Sequence, residues 1–378
     1  MDFSITPKQK EIIYLARTIA QEEIKPASLA IDKSGVIPEG LMRILKQSGM
    51  TALAVPKEYG GAGLDILTVA MVAEQLAMGC AGVATVCAAN ALASFPVLIG
   101  GNEEQKQAWC YTLNNGGMAA FALTEPGAGS DAGAVSCHAE KTEGGYILNG
   151  TKCFITNGPI ADKVTLFANT RKEGGMRGLT VFVVDTHSKG FSIGKEEDKM
   201  GIRASATSEL ILEDCFVPEA NRINREGRGF RLAMQTLQTS RPVVGALSVG
   251  IAQAAVDAAI AYSQQRKQFG VKISSFQMVQ EMIANMVMKT EAARGLVYRA
   301  CIMQMTRDYK AAMFSAMAKC YASDVAMEVT TDAVQVMGGI GYTREAYGEK
   351  YMRDAKIMQL YEETNQIKRL VIANEAIH

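Results

Sequence analysis

A chain of 378 residues is long enough for two or three domains with sizeable cores, and its 39 basic and 39 acidic residues cancel. That balance removes any bulk attraction to nucleic acid or membrane surfaces, so an anionic ligand has to be held by a few placed cations, backbone N–H groups and helix ends. The eight cysteines form no Cys-x-x-Cys pair, and His138, His187 and His378 never lie at i, i+4. Neither a metal site nor a Ser-His-Asp triad is supplied, and the thiols are expected to be reduced, small apolar residues.

In chain order, the first third is expected to be helical. Thr6, Pro7 and Gln9 spell a capping box with proline at the first helical position. Ile12, Ile13, Leu15, Ala16, Ile19 and Ala20 follow as an apolar stripe that Lys25-Pro26 should end. Further helices are expected near 38–49, 66–79, 81–100 and 102–115. No run appears apolar enough for a membrane span, since the longest are broken by Gly, Ser or Gln. The opening MDFSITPKQK has neither the apolar core of a signal peptide nor the bias of a transit peptide, which points to a cytoplasmic chain.

From Phe121 the period changes. Short β-rich runs at 145–148, 153–156, 163–168, 179–184 and 209–212 are broken by Gly, Asn, Asp and Lys turns, as in a compact antiparallel domain. After Asn224 helical periodicity returns, with long Ala- and Met-rich segments near 227–266, 275–305, 309–337 and 361–376 that suit an antiparallel bundle. The expected fold is α+β: an N-terminal helical domain (1–118), a central antiparallel β domain (119–225) and a C-terminal long-helix bundle (226–378). Met278, Met282 and Met286 form a stripe suited to core or subunit-interface packing.

Four segments suggest chemistry. Ala122 to Asp131 (ALTEPGAGSD) is a small-residue turn with hydroxyls at Thr124 and Ser130; it has no GK[ST] and is no P-loop. Thr151 to Gly158 places Phe154 and Thr156 on one face of a strand, an arrangement equally suited to a planar cofactor or to ordinary packing. Gln335 to Tyr342 ends a helix in glycines, which by itself is a C-cap. Tyr361 to Arg369 opens with two adjacent carboxylates, ordinarily a solvated helix start.

Taken together, their order and spacing resemble the acyl-CoA dehydrogenase family over essentially the whole chain. Ala122–Ala134 resembles its first signature and Gln335–Asp354 its second. Pro56 to Gly61, Lys199 to Arg203 and Arg266 to Gly270 add to the likeness. The resemblance implies an α–β–α subunit of a homotetramer with one FAD per subunit. Phe121, Leu123, Thr124 and Ser130 would then lie along the flavin and its diphosphate. Phe154, where many relatives carry Trp, would cover one flavin face, and Thr156 would donate toward N5. Arg266, Phe269 and Gln277, with Gln335, Gly338 and Gly339, would reach the FAD of a neighbouring subunit, and Thr364 and Gln366 would close the site.

By the same likeness Glu362 is the base that takes the α-proton of a CoA thioester. Ser240 stands where a subset of relatives carries its base instead. Leu237, Gln238, Arg241, Tyr361, Glu363 and Ser130 would line the substrate. The thioester oxygen would be stabilised by the Glu362 N–H and a flavin ribityl hydroxyl, and the base would have a raised pKa in a dry site. Electrons would pass to or from an electron-transferring flavoprotein. The same chemistry could run in reverse on an enoyl- or arylacrylyl-CoA, and a non-catalytic helical binding protein is a further alternative. One departure stands out: the family glycine after the base is Glu363, a second carboxylate that could crowd the thioester or raise the pKa of Glu362, although helical spacing favours its facing away from the site. Thr85 to Ser94 is rich in small residues, which suits a bulky acyl group or plain helix packing.

Overall fold

The computed structural model describes residues 5–171 and 175–377, so Met1–Ser4 and His378 lie outside it. Helix α1 (Pro7–Ile19) starts on the expected capping box, with Gln9 N–H donating to Thr6 Oγ1 and Thr6 N–H to Gln9 Oε1. Lys25-Pro26 does not end the helical path. A π-turn (Ala20–Ile24) leads directly into α2 (Lys25–Ser34), with Pro26 in the first turn, where a missing N–H costs no hydrogen bond. Leu15 is off the buried stripe and exposed, whereas Ala16, Ile19 and Ala20 are buried.

Next come α3 (Glu39–Gln47), α4 (Ile66–Gly79), α5 (Ala81–Gly100) and α6 (Glu103–Asn114). The β region holds β1 (Ala119–Ala122), β2 (His138–Thr142), β3 (Gly145–Thr156), β4 (Lys163–Asn169), a single helical turn α7 (Gly175–Gly178), β5 (Leu179–Asp185), β6 (Phe191–Glu196), β7 (Thr207–Pro218) and β8 (Arg222–Ile223). The strands lie in the order β6-β7-β3-β2-β4-β5-β8. Pairing is antiparallel except that β1 runs parallel to β4 and His138 bridges Asn169 in parallel. Strands β2 and β6 escaped the sequence pattern because they are polar, with mostly exposed side chains.

Helix α8 (Gly229–Gln265) then runs for 37 residues, with Pro242 buried inside it. A hairpin of β9 (Lys267–Gln268) and β10 (Val271–Lys272) turns the chain into α9 (Gln277–Met305), followed by α10 (Ala311–Met337), α11 (Tyr347–Met358) and α12 (Asn365–Ile377). By length and composition α5 and α8 are apolar enough to cross a membrane, contrary to the sequence expectation. In the fold, 78% of the apolar window of each is buried against protein.

Two cores result. One unites the N-terminal helices with the C-terminal bundle, and the other lies between the sheet and α5–α6. Helix α5 serves both, through Val83, Ala84 and Cys87 at one end and Ala93 and Val97 at the other. Buried Asn157 fastens this junction, its amide donating to Val86 O, Asn90 Oδ1 and Ala119 O. Helix α5 and the sheet are thereby tied together one residue after Thr156. All eight cysteines are free and buried.

Candidate active site

The first half of the site is built by β1, its following loop and β3. Lys152, wholly buried, donates to Leu123 O (3.1 Å) and Glu125 Oε1 (2.6 Å). Glu125 also accepts from Ser136 N–H, Ser136 Oγ and Cys137 N–H. Burial opposes its charge, yet Lys152 and Ser136 together hold its pKa below the ordinary carboxylate value. Cys153 N–H donates to Thr124 O at 3.0 Å, which pins the loop beside β3.

So anchored, the loop turns Pro126, Gly127, Gly129 and Ser130 to the surface, and a side-chain carbon at either glycine would meet open space. Strand β3 is irregular between Lys152 and Ile155, and Phe154 has φ +57°. This bulge pushes an aromatic ring out of the sheet, 64% exposed, between buried Cys153 and Ile155. Thr156 is partly exposed. Phe121 packs on Phe167, ring centroids 5.0 Å apart, and Leu123 is buried.

The second half comes from α8, α10 and the turn before α12. Glu362 and Glu363 are not on a helix; they occupy the turn at φ +48° and +71°. Left-handed backbone at non-glycine residues costs about 1–2 kcal/mol each, so the surroundings must hold it. Lys319, buried on α10, does so by donating to Glu363 O (2.8 Å) and Asn365 Oδ1 (2.9 Å). Asn365 in turn donates to Cys320 O, Ser323 Oγ and Asp324 Oδ1.

The Glu362 carboxylate is partly buried and accepts from Ser240 Oγ at 2.6 Å. Burial raises its pKa, against the opposing pull of Ser240, Lys319, Arg241 and Lys368. The backbone N–H groups of Glu362 and Glu363 make no hydrogen bond among the described residues. Glu363 does not face away. Its carboxylate accepts from Arg241 Nη2 at 2.6 Å and from Lys368 Nζ, and both cations are buried. The expectation assumed helical spacing, which these two residues do not have. Burial lowers the pKa of Arg241 to about 10, of Lys319 to about 8 and of Lys368 to about 6; at Arg241 and Lys368 the bonded Glu363 carboxylate opposes that shift and favours the charged forms. Nearby, Leu237 is buried with its carbonyl 3.2 Å from Ser240 Oγ, while Gln238 O accepts from Gln304. Tyr361 is partly buried against the helical core, its hydroxyl 3.0 Å from Met358 Sδ.

The remaining candidates sit apart and face outward. The β9–β10 hairpin turns on Phe269 (φ +54°) and Gly270 (φ +82°), which leaves Phe269 93% exposed against the edge of Phe276. Arg266, Gln277, Gln335, Gly338 and Gly339 are exposed as well, and neither glycine has an atom within 4 Å of its would-be Cβ. None of these residues hydrogen-bonds to the Glu362 cluster among the described residues. Of the Met stripe, Met286 is buried, Met282 partly buried and Met278 80% exposed. The Thr364 hydroxyl caps Ile367 N–H, and Gln366 is exposed.

Models of the N-terminal, middle and C-terminal domains of acyl-CoA dehydrogenase match residues 6–117, 120–215 and 227–377. The chain belongs to the acyl-CoA dehydrogenase family. It is 41% identical over 377 residues to the short-chain-specific acyl-CoA dehydrogenase of Clostridium acetobutylicum, with 99% of each chain covered. It is 41% identical over 374 residues to the 3-(aryl)acrylate reductase of Clostridium sporogenes, covering 98% of this chain and 99% of that one. It also superposes with a TM-score of 0.97, at 43% identity and full coverage of both chains, on a chain in the structure of the electron transferring flavoprotein of Acidaminococcus fermentans. The protein is thus a flavin-dependent oxidoreductase of the acyl-CoA dehydrogenase and enoyl-CoA reductase class.

Within this acyl-CoA dehydrogenase fold, several family-like segments have structural duties. Asp354, which closes the second signature, accepts from Ile202 N–H (2.5 Å) and pairs with Lys350. Arg203 donates to Asp32 O, and Tyr59 of the Pro56–Gly61 turn donates to Glu103. Sequence reasoning missed Lys319, Asn365 and Lys368. The available signal was a lysine within the apolar run of α10, and the i, i+3 spacing that puts Lys368 on the inward face with Asn365.

Proposed function

We propose that this chain binds FAD and a CoA thioester and that Glu362 takes or returns the proton on the carbon next to the thioester carbonyl. The observation that carries the reading is a partly buried carboxylate, its pKa raised by burial and touched, among the described residues, by a single neutral hydroxyl donor at 2.6 Å. A free carboxylate is too weak a base for such a proton, and a raised pKa brings it nearer. The uncommitted N–H of Glu362 is the chain's own candidate donor to the thioester oxygen, where negative charge grows as the proton leaves.

The cofactor surface is compatible with FAD. Phe154 offers an exposed ring face, and Thr156, Thr124 and Ser130 offer hydroxyls with no protein partner among the described residues. Gly127 and Gly129 leave backbone open to close approach. When bound there, FAD supplies the acceptor or donor of hydride at the β-carbon. The chain's part is to orient the acyl group between this face and Glu362 and to keep water out.

Exposed Arg266, Phe269, Gln277, Gln335, Gly338 and Gly339 support an assembly, a homotetramer on the family's pattern, in which each subunit completes its neighbour's FAD site. Likeness to a chain found with an electron transferring flavoprotein supports such a flavoprotein as redox partner. A second reading runs the same site in reverse, reducing an enoyl- or arylacrylyl-CoA. It is favoured by the 41% identity to an arylacrylate reductase; the small residues of Thr85 to Ser94 are almost all buried in α5 and serve helix packing.

Anaerobic titration of the purified yellow protein with saturated and unsaturated CoA esters tests both directions, since esters that bleach the flavin are donors and those that restore it are acceptors. Glu362→Gln is expected to retain FAD and ester binding while turnover falls about 10²–10⁴-fold. Near-normal turnover would refute the base assignment.

A further inference from the structure

The turn that carries Glu362 lies among more positive than negative charge. Arg241 on α8, Lys319 on α10 and Lys368 on α12 are all buried, and each is within one or two side chains of the two carboxylates. Lys319 spends its ammonium on neutral acceptors, the Glu363 carbonyl and the Asn365 amide oxygen. Arg241 Nη2 and Lys368 Nζ both converge on one oxygen, Glu363 Oε2. Arg241 Nε is buried with no partner, so Glu363 is the only side chain satisfying that guanidinium among the described residues.

The backbone at Glu363 has φ +71°, a conformation glycine adopts freely and glutamate does not. A side chain placed there at a conformational cost, and aimed inward at two buried cations, is there for its charge. Were Glu363 absent, the next carboxylate available to Arg241 and Lys368 would be Glu362, one residue away on the same turn.

We propose that Glu363 is a positioning residue that takes up the positive charge of Arg241 and Lys368, leaving Glu362 bonded to a neutral hydroxyl and able to act as a base. This rests on the reading of Glu362 as the base. Glu362 would otherwise be drawn into an ion pair, and an anion held by two cations is a weak base. The groups facing the pair are Ser240 and Arg241 from α8, Lys319, Cys320 and Asp324 from α10, Asn365, Lys368 and Arg369 from α12, and Tyr361 on the turn itself. Of these, Asp324 is already engaged by Arg369 and Asn365, so it cannot substitute for Glu363.

The test is a set of pH–rate profiles on the FAD-loaded enzyme, together with an infrared titration of the protonated-carboxyl band that Glu362→Gln abolishes. Glu363→Gln keeps the side-chain volume and removes one negative charge. Its acidic limb is expected to move to lower pH by about one unit, with the infrared band lost at correspondingly lower pH. Lys368→Met removes one cation and should move both to higher pH. The Glu363→Gln/Lys368→Met double variant, which restores the charge balance, should return toward the parent profile.

Opposite shifts that cancel would not arise from a structural role, which would lower stability or rate without moving the limb. Unshifted profiles in both single variants, or shifts of the same sign, overturn the proposal. If Glu362→Gln is inactive while those profiles are unshifted, the base assignment stands and only the role of Glu363 falls. If Glu362→Gln is active, the base assignment itself falls.

Discussion

Two inward-facing glutamates in this fold have opposite fates. Glu125, in the β domain, is buried yet held anionic, because Lys152 and three further donors from Ser136 and Cys137 bond its charged form. Glu362, between the helices, is touched by one hydroxyl among the described residues, and desolvation prevails over the surrounding cations to raise its pKa. Burial alone therefore does not decide whether a carboxylate is a strut or a base. What decides it is whether a countercharge and donors are bonded directly to the charged form, as Lys152 and Ser136 are to Glu125. The first arrangement fixes a loop; the second leaves a carboxyl group with raised proton affinity.

The comparison can be broken most forcefully at Lys152. Lys152→Met leaves Glu125 buried with no countercharge and is expected to cost about 3–5 kcal/mol, read by denaturant unfolding. A loss below about 1 kcal/mol would mean that the serine and backbone donors suffice. Next is the sign of the pH dependence. Because the folded pKa of Glu125 is depressed, its stabilisation is complete above the unfolded value of about 4.3. It is lost as pH falls through the lower folded value. The stability gap between the parent and Lys152→Met should accordingly narrow in acid.

Glu362 should behave in the reverse sense. With its folded pKa raised, it opposes folding increasingly as pH rises through the unfolded value toward the folded one, so Glu362→Gln is expected to be more stable than the parent at neutral pH. The smallest effect is expected from Ser240→Ala. It removes the one donor to Glu362 and should move the acidic limb of the pH–rate profile to higher pH by less than about one unit. A shift to lower pH would show that the hydroxyl does not favour the charged form.

Much of the architecture could be read in advance, for local reasons. The capping box at Thr6 and the helices near 66–79 and 81–100 follow from periodicity and cap chemistry within a few residues. The π-turn that carries the chain past Pro26 was not legible, because it depends on how the two helices pack. Strands β2 and β6 lacked an apolar signature. Strand alternation suggested outward-facing positions for Phe154 and Thr156, which are exposed and partly exposed, although the bulge that pushes out the ring was not legible. Glu363 was misjudged because a helical spacing was assumed for residues that fold as a left-handed turn.

By itself, the sequence determined the α–β–α order, the family likeness and the position of the candidate base, since each is written in short-range patterns and in motifs whose order survives without coordinates. Only the tertiary structure decided which charges share the site. Ser240 and Arg241 each meet a glutamate 122 residues further along the chain, and Lys319 and Lys368 arrive from two other helices. Proton affinity depends on burial and on groups within a few ångströms, and packing alone sets those distances.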